Sequence, residues 1–337
     1  MNKLTILVLM LTLVSCGSAI IKRSYDGDRA YYDFTDRFDV FWDHAHDKEH
    51  SEQVQLWKKY VEGRYTDFYN KGIWGSEHLP HWRENKSIHL WVNFQLYKFN
   101  ADSIIKNTKS LQPRVQRSIN SYLKRHPDLN FDINVFIVPA GFAQPTAAVT
   151  QYPVSNKLQK YMFVNSDILG ASPQNIEKVM EHELTHLDHF ERRIRANMSN
   201  LVAQNLFDLH MLLYIEGIAS HRATLKYKKD FISSIKGEDE IVKRIKEEKK
   251  KNKVMIKVAK LNSKNVCHYK LKGYENETLP FACHDLYKVG EDFAKELSKK
   301  YKYPQVLTLD SKVVKREVKR YLQERNDKIS KSMLKFL

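Results

Sequence analysis

Apolar positions along the chain change their period twice. From residue 24 to 70 they are mostly aromatic and recur three or four residues apart: Tyr31, Phe34, Phe38, Phe41 and Trp42, then Leu56, Trp57, Tyr60, Tyr65, Phe68 and Tyr69. That spacing predicts two amphipathic helices with aromatic core faces. Residues 72–80 interrupt the pattern, and it returns over 87–126 with breaks expected near Asn100 and Pro113. At residue 131 the period becomes two. Phe131 to Val138 alternates and is β-rich, ending at Pro139-Ala140-Gly141, so a strand and a turn are predicted; 147–152 and 161–165 are two further strands. Ser172-Pro173 then offers an N-cap and a proline at the first helical position, predicting a helix from Pro173 to about Arg193. Helical periodicity continues over 201–227, 232–261, 286–300 and 311–336, with no internal repeat and no low-complexity linker.

These elements predict an α+β, predominantly helical fold. Four segments are expected: a signal at 1–15, an aromatic-rich helical lobe at 16–130, a core at 131–229 and a basic helical lobe at 230–337. The signal rests on the one strongly apolar run, Leu4 to Val14, which follows Lys3 and is too short to span a bilayer. Leu13-Val14-Ser15-Cys16 resembles the lipobox of bacterial lipoproteins, in which cleavage precedes the cysteine and that cysteine is acylated. The resemblance implies an exported body held to the membrane through Cys16, and stable anchoring takes more than one acyl chain. Gly17, in place of an acidic residue after the cysteine, points to the outer membrane.

Composition agrees with a folded body: 42% of the 337 residues are hydrophobic, with only 11 Gly and 9 Pro, which excludes disordered and collagen-like chains. The net charge of +16 suits an anionic setting, such as a membrane face or a cell-wall polymer, and carries no feature specific to nucleic acid. Half of that surplus lies in Lys226 to Lys264, with fourteen basic and six acidic residues; a solvated helix face and a binding surface both account for it. In an exported chain, Cys267 and Cys283 are expected to form a disulfide. The histidines that follow them, His268 and His284, leave a Cys2His2 zinc site as the other reading.

The chemistry concentrates in His182-Glu183-Leu184-Thr185-His186, an H-E-x-x-H pattern within the helix predicted from Pro173. Residues four apart stack one turn above each other, so both imidazoles can address one metal ion while Glu183 projects beside them. Zinc lowers the pKa of a bound water toward about 7, and a carboxylate in reach can take its proton. Where the metzincin extension has Gly and His, this chain has His189 and Arg192, so that class is excluded. His189, one turn beyond His186, suits a substrate contact, a group supporting a ligand or a rim position. On the next helix Glu216 sits among Leu212, Leu213, Ile215, Ile218 and Ala219, where a carboxylate needs a cation opposite it, either a metal or an arginine such as Arg222. Gly217 and Ala219 are small enough to let this helix approach the His182/His186 helix closely.

H-E-x-x-H followed on a second helix by Glu216-Gly217-Ile218-Ala219 resembles the gluzincin branch of zincin metallopeptidases. The order of strand, Pro-Ala-Gly turn, strands and motif helix is similar to predicted zinc-dependent peptidases of bacterial envelopes. The resemblance covers about residues 130 to 225. It implies one zinc ion held by His182, His186 and Glu216, Glu183 as general base, and an extended peptide laid along a strand edge above the motif helix. Ser220, one turn after Glu216, is the candidate hydrogen-bond partner that orients the ligand carboxylate. Tyr214, His210, His221, Tyr152 and Tyr161 are all candidates for the donor to the substrate oxyanion. The expected function is zinc-dependent hydrolysis of peptides or proteins, cell-wall peptide crosslinks among them, in the cell envelope. The alternative is a non-enzymatic lipoprotein whose metal site is structural or vestigial and whose basic surface binds anionic polymers; a fourth protein ligand, such as His189 or His210, would mark it.

Overall fold

The computed structural model describes residues 22–26, 29–70, 80–129, 133–142, 147–154, 157–196, 198, 208–223, 243, 271, 281 and 283–337. The signal segment with Cys16, the basic run 226–264, Cys267 and the side chain of Cys283 lie outside the described residues. The expected acylation and disulfide therefore fall there too. Among the described residues no helix is long and apolar enough to cross a membrane.

The chain is mostly helical around one five-stranded mixed sheet. Strands β1 (Lys22–Asp26), β2 (Arg29–Asp33), β3 (Asn134–Val138), β4 (Ala147–Val154) and β5 (Lys157–Asn165) lie in the order β1-β2-β3-β5-β4. The β2/β3 and β3/β5 pairs are parallel, while β1/β2 and β4/β5 are antiparallel. All three predicted strands are present. The hairpin β1–β2 corrects the expectation of helix from residue 24: Tyr31 and Phe34 are three apart but do not share a helix face. Tyr31 points from β2 into the core on one side of the sheet, and Phe34 opens the aromatic core on the other.

Alternation along the strands builds both cores. Phe136 and Val138 of β3, with Tyr161 and Phe163 of β5, face an aromatic layer; Val135, Ile137, Met162 and Val164 face the opposite layer. The aromatic layer is formed by α1 (Thr35–Ala45), α2 (His50–Leu56), the π-helical turn Trp57–Glu62 that continues it, and α3 (Pro80–Thr108). Helix α3 runs through Asn100 without a break, because the Asn100 Nδ2 donates to the Leu96 carbonyl at 2.8 Å and so is satisfied within the helix. Pro113 is tolerated in the first turn of α4 (Leu111–Arg125), where its missing N–H has no helical partner to lose.

The opposite layer is α4 together with α6 (Ile176–Arg195), which follows the short α5 (Ser166–Ala171) and a 3₁₀ turn at Pro173–Asn175. Ser172 does not cap a backbone N–H as expected; its hydroxyl accepts from Gln174 and Asn175 side chains instead. At the end of β3, Gly141 has φ +82°, and a Cβ there would lie 2.0 Å from the Asn93 amide nitrogen, so the predicted turn needs glycine. A third core gathers α7 (Leu209–Ala223), α8 (Cys283–Ser298), α9 (Ser311–Arg325) and α10 (Lys328–Leu334). The helix predicted over 311–336 divides at Asn326, which adopts the left-handed conformation, and Asp327 caps α10 by accepting the Ser330 N–H at 2.7 Å.

Candidate metal centre

Helix α6 is amphipathic, with Ile176, Val179, Met180, Leu184 and Leu187 against the sheet, and its His182/His186 stripe turns toward α7. Helix α7 is apolar on all sides, as a helix enclosed by neighbours must be. The one acidic residue within it, Glu216, faces the two imidazoles. The Nε2 atoms of His182 and His186 lie 3.0 Å apart, and the Glu216 Oε2 lies 3.3 Å from the first and 3.5 Å from the second. His182, Glu183, His186 and Glu216 are all buried, each with no more than 9% of its surface exposed.

Charge and burial set the protonation of the group. Burial would raise the Glu216 carboxyl, but its attraction to His186 and the closeness of both rings hold it far below the usual carboxylate range. Burial lowers His182. The same burial acts on His186, yet the Glu216 and Glu183 carboxylates outweigh it and raise that ring above its ordinary value. Burial pushes Glu183 up to about 8, opposed by His186 and by the Val149 N–H, which donates to it from β4. Glu183 therefore sits between the histidine pair and the outer strand of the sheet.

His182, His186 and Glu216 could together hold a metal ion, and among the described residues no fourth His, Cys, Asp or Glu joins them. A tetrahedral zinc with bonds of about 2.0–2.1 Å sets its ligand atoms about 3.3–3.4 Å apart. The three separations observed here bracket that spacing, so the donor set fits such an ion with one position left over. Arg222, the other cation considered for Glu216, instead approaches Glu181 at 3.4 Å and lies 4.0 Å over the Tyr303 ring.

Several expectations are corrected. Gly217 does not serve the approach of α7 to α6: a Cβ there would lie 2.1 Å from the Gly290 carbonyl oxygen, so its absence lets α7 and α8 cross with their backbones in contact. Ser220 does not orient Glu216. Its buried Oγ has no hydrogen-bond partner among the described residues. His189 is not at a rim; it is fully buried, edge-on to Tyr214 with ring centroids 4.8 Å apart.

Of the five proposed oxyanion donors, two are hydrogen-bonded elsewhere and one lies across the sheet, while His221 is partly buried near the end of α7. The Tyr214 hydroxyl donates to the Val306 carbonyl and accepts the Leu309 N–H at 3.3 Å, and His210 pairs with the Ser311 hydroxyl at 3.0 Å. Tyr161 packs against Phe136 and Phe68 in the aromatic layer, across the sheet from α6. The side chain of Tyr152 lies outside the described residues. Tyr287 on α8, which the sequence did not single out, has its ring centroid 6.3 Å from that of His182. Its signal in the sequence was weak, a tyrosine one turn before Gly290.

Beneath the metal-centre helix lies a second polar cluster. Asp188, fully buried, accepts from the hydroxyls of Tyr122 and Tyr303 and from the Arg192 Nε at 2.6 Å. It ties α4 and the segment before α9 to α6. No family model, curated protein or solved structure matches this chain, so its function is argued from this geometry.

Proposed function

We propose that this chain is a zinc-dependent peptidase of gluzincin type, exported and held to the bacterial envelope by a lipid on Cys16. The reading rests on one observation: two imidazole nitrogens and a carboxylate oxygen, from two helices, spaced 3.0–3.5 Å apart as a tetrahedral ion requires, with a second carboxylate beside them that is not part of the set. When bound, zinc supplies Lewis acidity, which acidifies a water and polarises a carbonyl.

The chain's own groups supply the remainder. His182, His186 and Glu216 would hold the ion, leaving a net charge of +1 when both rings are neutral. Glu183 takes a proton from the attacking water as its oxygen bonds to the scissile carbonyl carbon, then returns that proton to the leaving nitrogen as the C–N bond breaks. Strand β4 lies at the edge of the sheet and reaches Glu183 through the Val149 N–H. An extended peptide along that edge brings its carbonyls to the carboxylate.

The alternative of a structural site needs a fourth protein ligand, and the three donors that meet among the described residues favour the open site instead. The test is metal analysis of the purified full-length protein together with digestion of a peptide library. One zinc per chain and metal-dependent cleavage are expected; stoichiometric zinc with no cleaved peptide would reject the peptidase.

A further inference from the structure

We propose that the outward face of α9 docks the protein on a bilayer of anionic phospholipid and sets which side of the molecule lies against the membrane, an inference that rests on the anchor at Cys16 for its membrane and not on the peptidase chemistry. Lys312, Lys315, Arg316, Lys319 and Arg320 recur three and four residues apart along α9, and all five are exposed. That spacing puts them on one side of the helix. Val314, Val318 and Leu322, on the other side, are buried in the third core. This stripe is separate from the basic run at 226–264.

Two features distinguish the face from an ordinary solvated one. A solvated helix commonly sets acids three or four residues from its bases, so that neighbours attract. Here Lys312 has Lys315 and Arg316 at those spacings, Lys315 has Lys319, and Arg316 has Lys319 and Arg320. Each such like-charge pair weakens the helix, and an array of anions laid over the face relieves all of them.

The second feature is the fate of the acids. Glu317 is only 8% exposed, and its Oε2 accepts from the Lys300 Nζ at 2.8 Å and from the Arg320 Nη2 at 2.7 Å. Its charge is thus spent beneath the face, where it draws exposed Lys300, just after α8, into the same cluster. Glu324, 3.5 Å from Arg320, is the exposed acid of α9 and lies toward its C-terminal end.

The shape of the site selects a bilayer. Because the apolar side of α9 is used in the core, the contact works through charge without insertion, and each Lys or Arg near an anionic bilayer adds to the attraction. Such a contact is weak in isolation and suits a protein that is already tethered, for which headgroups are at high local concentration. Cys16 is six residues before β1, a reach of about 20 Å at full extension, so the body stays beside the bilayer while the basic face decides how it lies.

The test uses residues 17–337, which keep every strand and helix described above and carry no acyl chain, with vesicles of phosphatidylcholine alone or mixed with phosphatidylglycerol. Co-sedimentation at low salt should show binding to the mixed vesicles only, lost as salt is raised. The triple variant Lys312→Gln, Lys315→Gln, Lys319→Gln leaves the Glu317 pairs in place, so its melting temperature should not fall, while its affinity for mixed vesicles should drop about 100-fold. A second triple, Lys98→Gln, Lys106→Gln, Lys109→Gln, removes the same charge from exposed lysines on and just after α3 and should bind as the unmutated chain does. Equal loss in the two triples, or no loss in the first, overturns the assignment. Binding of soluble polyphosphate through the α9 lysines by a chain that ignores both vesicles also overturns it, by giving the face to a polymer. Lipid labelling of the full chain in cells is scored separately: absence of label removes the anchor, and vesicle binding that depends on the α9 lysines still upholds the docking face.

Discussion

Glu183 and Glu216 are the same residue type at similar burial, yet their surroundings divide their roles. Glu216 lies within 3.5 Å of both imidazole nitrogens and is held ionised, whereas Glu183 meets one backbone N–H and is pushed up to about 8. Glu183→Gln should therefore keep zinc at one per chain by metal analysis while turnover falls by about 100-fold or more. Glu216→Ala should lose the metal itself. Ser220→Ala is expected to leave zinc affinity and turnover unchanged and to raise stability by about 1 kcal/mol in a urea melt, since it deletes a buried hydroxyl that finds no partner. A second buried acid, Asp167, accepts from the Tyr97 hydroxyl at 2.7 Å and the Gly141 N–H at 2.6 Å, but burial prevails and raises it from 3.8 to about 7. Its contribution to stability is fully present below the unfolded value and is lost as pH rises through about 7. Urea melts at pH 4.5 and 7.5 should show this loss in wild type and not in Asp167→Asn; equal pH dependence in both would refute it. At this scale the sequence displayed the two histidines and Glu183, because one helical turn fixes their relation. Tyr287 was hidden, since its relation to His182 depends on how two helices cross.

Pairs of elements explain what periodicity could and could not reveal. Strands β3 and β5 were legible because apolar residues face both layers and alternate between them, and β3 ends at a turn that only glycine fits. The hairpin β1–β2 was not, because its tyrosines continue the spacing of the aromatic helix that follows. Gly217 was legible as a close-approach residue, but its partner was misjudged: one sequence shows that a helix has a flat side, not which neighbour lies on it. Gly217→Ala should thus act on α8 first. With 2.1 Å available, the helices must separate, at a cost of about 3 kcal/mol, and both Glu216 and Tyr287 withdraw from His182. Thermal melting and zinc titration of this variant should both show large losses, while Ala219→Gly should cost only about 1 kcal/mol of helix propensity.

Across the whole molecule, the catalytic portion expected at 131–229 shares its sheet with the N-terminal residues and its helix with the C-terminal ones. Strand β3 pairs with β2 on one side, and Asp188 on α6 is held by Tyr122 from α4 and Tyr303 from the segment before α9. Residues 131–229 produced alone should show no cooperative melting and no stoichiometric zinc binding, in contrast to the full chain. The parallel pairing of β2 with β3 has a further consequence in the order of synthesis. Tyr31 opposes Val135, so β2 is made about a hundred residues before the strand that completes it. Closing so long a loop is slow, and until it closes the hairpin presents an open edge. His182 and His186 are made after the strands of that sheet, and Tyr303, which holds their helix through Asp188, later still. The newborn chain thus lacks the full donor set until Glu216 is made, about two-thirds of the way along its length.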